Sequence, residues 1–420
     1  MRLTTPRRLR RLAVLPAATL LLAGCGGGFG ADDDSDRDDQ NQGNASLTVL
    51  IGSSGPAETQ AVQAAAARFA DTTGNQVEVI PAQDLVQQLQ QGFTGGEPPD
   101  VFYVSPDRFQ LYAEGGSLHP YGDQIEDVDD FYPALRQAFT YQDQLYCLPK
   151  DGGAHALVID TDAWEEAGLT DADLPQTWQD LTRVAGELTT DDRVGLAFNG
   201  DYNTVGTFLL GGGGFYVNPD QTQVTADTPA NAATLQFILD NIDAGVFAFV
   251  ADVDSGWGGE ALGTGASAMT VEGPWIAGAL AADWPDRNWR AVEMPPGPAG
   301  QAVGAFTNCW GIAEQSPSKE AAVDLVRHFT AAEEQQTFMQ AFGPHPSRAS
   351  LQQWAADESP DQVAFAAGLA YGRTQVAIPG FDSVLNDFNA QLQAMRLGDV
   401  TPAEALAALQ DNGEAVLAQG

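Results

Sequence analysis

Four histidines, three cysteines, eight tryptophans and 57 acidic residues supply the groups through which this 420-residue chain could do chemistry. The histidines, His119, His155, His328 and His345, are scattered, and no H-E-x-x-H run occurs, so no metal site is indicated. No G-x-S-x-G elbow is present to carry a serine nucleophile. The glycine run at 211–214 lacks the Lys-Ser/Thr of a phosphate loop and reads as a turn or a close approach. Residue counts leave a two-carboxylate glycosidase open, because 57 acids always offer pairs. Asp107 beside Arg108 sets a hydrogen-bond acceptor next to a donor.

Such groups need a folded body to hold them, and composition allows one. At 44% hydrophobic the chain can bury a core, and its length suggests two domains or one large one. The formal charge is −38, from 57 acidic and 19 basic residues. Five of the basic residues fall within positions 1–11, and without them the balance is 14 against 57, or −43. No basic stripe is left to neutralise phosphates, which excludes a nucleic-acid binder. Docking of the body on an anionic lipid surface is disfavoured for the same reason.

The cationic start, the short apolar run at 12–22 and the small-residue junction read as an export signal, 1–24. Its ending, Leu22-Ala23-Gly24-Cys25, is similar to the lipobox of bacterial lipoproteins, which implies a diacylglyceryl group on Cys25. Two acyl chains would hold the protein at a membrane, whereas one gives marginal anchoring. Arg7-Arg8 and Arg10-Arg11 leave Sec and twin-arginine export both open. Residues 25–44 carry six Asp and almost nothing apolar, the composition of an extended tether. The expected location is therefore the outer face of a cell membrane, reached by the lipid alone.

Beyond the tether the pattern alternates. An apolar β-type run at 47–51 precedes helical spacing over 57–71, with Gly74 as a stop. A strand at 76–80, a helix near 84–91 and a strand at 100–104 follow. The β-α-β-α-β order predicts an α/β fold with a mostly parallel, helix-covered sheet. Ligands of such sheets bind beyond the carboxyl ends of the strands, which selects Ser53, Ser54 and the 105–108 segment. Further on, 144–151 and 156–160 read as extended, 177 onward as a helix, 266–271 as a strand and 307–312 as a second crossing. Helices are predicted at 318–330, 381–397 and 402–410.

From about residue 46 to the end the chain resembles the extracellular solute-binding proteins that include the maltose-binding protein and feed ABC transporters. The carriers are GGEPPDV at 95–101, Asp107-Arg108-Phe109 with Gly116-Ser117-Leu118, and LYCLPKD at 145–151. PQTWQDL at 175–181, GASAMTVEGPW at 265–275 and PSKEAAV at 317–323 continue in the same order. The resemblance implies a two-lobe periplasmic-binding-protein fold, each lobe a mostly parallel sheet flanked by helices. Lobe one would hold 45–150 plus 308–346 and lobe two 155–303 plus 350–420. Extended hinge crossings would lie near 147–156, 303–311 and 345–350.

It also implies a saccharide in the interlobe cleft, delivery to an ABC transporter permease, no cofactor, no metal, no catalysis and a monomer. Carried over residue by residue, Trp275 becomes the stacking platform, Tyr202 a cleft tyrosine with Asp201 beside it, and Asp107 and Arg108 an acidic and a basic ligand residue. Ser53, Ser54, Asp151 and Trp257 are further candidates. Val104 and Leu385 stand near positions where the maltose binder has aromatic platforms, which points away from maltodextrin and towards a mono- or disaccharide. A polyamine or chelated cation on the same fold is the other solute class. With Cys25 assigned to lipid, Cys147 and Cys309 remain as a pair in an oxidising setting. The family runs those two crossings side by side, so a Cys147–Cys309 disulfide is expected.

Overall fold

The computed structural model describes residues 45–418. The signal segment, Cys25 and the tether therefore lie outside the described residues. Among those described, no helix is long and apolar enough to cross a membrane.

The α/β alternation builds two five-stranded sheets. In the first, the order is Gln76–Pro81, Ser46–Ile51, Val101–Val104, Cys309–Ile312, Leu148–Pro149. In the second it is Phe247–Phe249, Val194–Phe198, Ser267–Glu272, Ala156–Asp160, Trp289–Val292. Three strands of each sheet run parallel, as the β-α-β order requires. The remaining two enter antiparallel to their neighbours. Cys309–Ile312, which reverses the first sheet, is the end of a segment returning from the other lobe, a direction that local periodicity does not encode.

The two sheets are joined through a third. Gly153–Ala154 pairs antiparallel with Val303–Phe306, which in turn pairs parallel with Gly372–Thr374. The chain thus leaves the first sheet at Leu148–Pro149, passes through Gly153–Ala154 and enters the second at Ala156. It returns from Trp289–Val292 through Val303–Phe306 to Cys309. Cys147 and Cys309, both fully buried, are disulfide-bonded where these two passages meet, with Cα atoms 5.7 Å apart.

Helices fall where spacing and caps predict. Pro56–Thr73 begins with Pro in its first turn and stops at Gly74, whose φ of 79° suits a residue without Cβ. It buries Ala61, Val62, Ala65 and Phe69 against the first sheet's core, which includes Val49, Phe102, Trp310 and Phe329. Trp178–Leu188 starts under Thr177, whose hydroxyl accepts from the Asp180 N–H, and it packs Leu181, Val184 and Leu188 on the second sheet. The core of that sheet extends into Phe381–Arg396 and Pro402–Leu417, so the C-terminal helices add to the second lobe rather than the first.

Candidate functional site

The candidate residues lie at the starts of helices or, for Asp151, in the passage between the two sheets, and each is held by its local element. Trp275 opens the helix Trp275–Asp283 immediately after the Ser267–Glu272 strand. Its indole is 45% exposed, uncommon for so large an apolar ring. Yet it is fixed. Its Nε1–H donates to Glu272 Oε2 at 2.7 Å, and its ring edges meet Phe306 and His155. A side chain at Gly273 would collide with that ring, so glycine is required for the close approach.

Glu272 is almost wholly buried, and its other oxygen accepts from Asn199 Nδ2 at 3.0 Å. Burial pushes its carboxyl up to about 7, against the hydrogen bonds of Trp275 and Asn199, which pull it down. The folded protein therefore keeps a proton that the unfolded chain releases at ordinary carboxylate pH. Stability carried by that proton is complete below about pH 4.5 and is lost as pH rises to about 7. Glu272→Gln should remove this slope, a result that urea titrations at pH 5 and pH 8 would check. An unchanged slope in the variant would locate the effect elsewhere.

Tyr202 starts the helix Tyr202–Gly211, which Asp201 caps by accepting from the Thr204 N–H at 2.9 Å. Asp201 is thus engaged as a helix cap, and burial raises its carboxyl above the usual range. Burial also raises the Tyr202 phenol, with Asp107, Asp201 and Asp382 close enough to add to the effect. Tyr202 lines a cavity with Asn203, Phe306, Arg373 and Leu385. Across from it, Asp107 and Arg108 sit in the first turn of Pro106–Glu114 on the first sheet's lobe. Arg108 Nε lies 3.2 Å from Asp107, and its Nη2 reaches Asp382 of the second lobe's Phe381–Arg396 helix at 3.0 Å. One guanidinium therefore bridges the lobes.

The serines behave differently. The Ser53 hydroxyl donates to the Gly55 carbonyl and accepts from Thr59, while the Ser54 N–H and hydroxyl both donate to Glu58 Oε2 at 2.7 Å. Glu58 is buried and also accepts from the Tyr103 hydroxyl, 2.9 Å away. Lys150, in the first crossing, is 3.2 Å from Glu58, contacts Asp151 and lies over the Tyr103 ring. Burial pushes the Lys150 ammonium down, but Asp151, Tyr103 and Glu58 more than restore it, and it is held well above its ordinary value. Asp151 is thereby tied into an ion-pair cluster rather than standing alone at the cleft. Trp257 is partly buried among Leu262, Ile276 and Phe365, and no ring contact joins it to Trp275 among the described residues. Val104 and Leu385 are both buried.

Glu58, Tyr103, Lys150, Asn199, Glu272, Arg373 and Asp382 were not among the residues that motifs singled out. Lys150 and Glu272 lie inside quoted motifs, directly before Asp151 and Gly273, and that adjacency was their one available signal. Among the described residues no three His, Cys, Asp or Glu side chains form a metal-holding group.

Comparisons with known proteins agree with this architecture. The family model described as bacterial extracellular solute-binding protein matches residues 53–336. The lactose-binding protein of Rhizobium radiobacter is 28% identical over 288 residues, 65% of this chain and 66% of that protein. The maltotriose-binding protein of Pyrococcus abyssi is 25% identical over 210 residues, 49% of this chain and 44% of that protein. The matched segments thus span less than two thirds of either relative. Among solved structures, the cyclic alpha-maltosyl-1,6-maltose binding protein of Arthrobacter globiformis superposes with a TM-score of 0.79 at 20% identity, covering 90% of this chain and 100% of that one. The GacH receptor of Streptomyces glaucescens gives 0.77 at 22%, covering 90% and 99%. These two establish a shared two-lobe fold. With a family model matched across most of the folded body, the chain belongs to the bacterial extracellular solute-binding proteins.

Proposed function

We propose that this protein captures a small saccharide between its lobes and presents it to the permease of an ABC transporter. The observation that carries the reading is Trp275: a half-exposed indole locked by a buried carboxyl group and packed against Phe306, which lines a cavity with Tyr202, the tyrosine that lies near Asp107 and Asp382. A flat platform with donors and acceptors across from it suits a pyranose, which offers an apolar C–H face and a rim of hydroxyls. The lactose and maltotriose in the names of the relatives support the same class.

In this reading lobe one comprises 45–150 plus 308–346, and lobe two 155–303 plus 350–420. The ligand works by touching both lobes, so it binds the closed arrangement better than the open one and shifts the population accordingly. Tyr202 and the Asp107–Arg108 pair would hold hydroxyls, and Trp275 would take the ring face. The export signal at 1–24 and a lipid on Cys25 would keep the binder at the outer membrane face, close to its transporter.

Calorimetric titration against a sugar panel tests the proposal. A mono- or disaccharide should bind and be recovered unchanged, and Trp275→Ala should weaken it by roughly 10- to 100-fold, the range of an aromatic hot spot. Tight maltotriose binding would contradict the mono- or disaccharide assignment, since Val104 and Leu385 offer no stacking face. Turnover of the sugar would contradict the binder itself.

A further inference from the structure

Six of the chain's 19 lysines and arginines precede residue 45, leaving 13 in the described body. Twelve of these 13 form an ion pair with a carboxylate. Among the described residues Arg373 alone does not, in a protein where acids outnumber bases threefold. Chance placement would pair it as readily as the rest. Its position explains the interest. Arg373 lies in the strand Gly372–Thr374 and lines two adjoining cavities, one within the second lobe beside the Val303–Phe306 crossing and one between the lobes. One is the cavity bordered by Tyr202 and Phe306, and the other has a volume of about 290 Å³ and is walled on the first-lobe side by Phe109 and Tyr141.

The guanidinium is held, not loose. Nη2 donates to the Val217 carbonyl at 2.7 Å and the Asn218 carbonyl at 2.5 Å, and the group lies 4.3 Å over the Phe215 ring. Nε and Nη1 make no hydrogen bond among the described residues, and neither is sealed from solvent. Two donors on a fixed cation therefore remain for whatever fills the cleft. Desolvation lowers the guanidinium to about 10, so the site already carries a cost that an arriving negative charge would relieve.

We propose that the saccharide captured by this protein carries a carboxylate, as a uronic acid does, and that Arg373 receives it. The inference rests on the saccharide reading above. A monoanion fits better than a phosphate dianion, because Asp220 lines the second cavity and Asp107 and Asp382 lie near Tyr202 of the first, and all three repel a second negative charge. Arg373 is then a specificity residue: neutral sugars leave its two free donors to water, whereas a carboxylate takes them with charge assistance.

The test compares neutral mono- and disaccharides with the uronates formed by oxidising their C6 hydroxymethyl groups, and with their 6-phosphates, by calorimetry on the protein. At least one uronate should bind tenfold or more tightly than its neutral twin. Arg373→Gln should erase that preference, and Arg373→Lys should keep part of it. The wild-type comparison stands even where a variant folds poorly. Neutral sugars binding as tightly as their uronates would overturn the inference and leave the saccharide reading intact. A 6-phosphate binding more tightly than the uronate would overturn the choice of carboxylate. Binding of no sugar in any series would overturn both readings together.

Discussion

Lys150→Met should cost about 3–5 kcal/mol of folding stability at pH 7, the penalty for breaking a buried ion pair by removing one partner. The Lys150 side chain is 9% exposed and that of Glu58 3%, so neither can turn to water for compensation. Asp151, 19% exposed, shares the same ammonium. Without it, two carboxylates would face each other inside the fold, with only Ser54 and Tyr103 left to donate to Glu58. Folded-state protonation would become the cheapest remedy. In the wild type, burial pushes Glu58 up, but Lys150 and the hydrogen bonds from Ser54 and Tyr103 leave it below its ordinary value. In the variant its value should rise above the unfolded one, so the folded form would bind more protons. Stability of the variant should then recover as pH falls from 7 towards 4, narrowing its deficit against the wild type. Urea denaturation at several pH values reads both effects, and a variant within 1 kcal/mol of wild type at pH 7 would sink the assignment.

The cost is specific to removing one partner. A well-packed apolar replacement of the whole cluster could be neutral, because burying three charges is itself expensive. What the cluster does is join elements distant in sequence: Glu58 on the first helix, Tyr103 on the third strand of the first sheet, and Lys150 on the passage towards the second lobe. It anchors the start of that passage to one lobe.

None of this was visible in the one-dimensional pattern, for a physical reason. Apolar runs at 47–51 and 101–104 and helical spacing over 57–71 report burial against a nearby layer, a property that a short window contains. Those elements lie where periodicity puts them. The motif around Trp275 was legible through the resemblance to the family, not through periodicity. Glu58, Lys150 and Glu272 read as three more charges among the 76 of a strongly acidic chain, since burial of an ion depends on partners tens of residues away. Ser53 and Ser54 illustrate the converse: topology located the loop at the strand ends, but the use of their hydroxyls depended on Thr59 and Glu58 respectively, in the helix that follows. The antiparallel entry of Cys309–Ile312 escaped local patterns because a strand's direction depends on which lobe the chain is returning from.

The disulfide had a different source, since spacing alone cannot pair cysteines 162 residues apart. Its removal should carry the second large effect. Closing a loop of that length restricts the unfolded chain, and the chain-entropy model puts the stabilisation at roughly 5 kcal/mol, an upper figure against the 2–5 kcal/mol usual for native bridges. Both sulfurs are fully buried beside Leu148 and Trp310, so alanine is the right replacement: serine would add two hydroxyls to an apolar core. The Cys147→Ala, Cys309→Ala double variant should lose 2–5 kcal/mol in urea and become insensitive to dithiothreitol. The wild type unfolded in reductant should fall to the same midpoint. Equal midpoints for wild type with and without reductant would rule the contribution out. Capture should respond differently. The bridge ties the two passages on the first-sheet side, where Cys309 already pairs with Pro149 in the ladder, whereas Trp275, Phe306 and Arg373 lie beyond it. Sugar affinity of the folded double variant should therefore stay within about threefold of wild type, under ~1 kcal/mol. A loss of binding as large as that of Trp275→Ala would mean that the bridge sets the cleft as well as the stability.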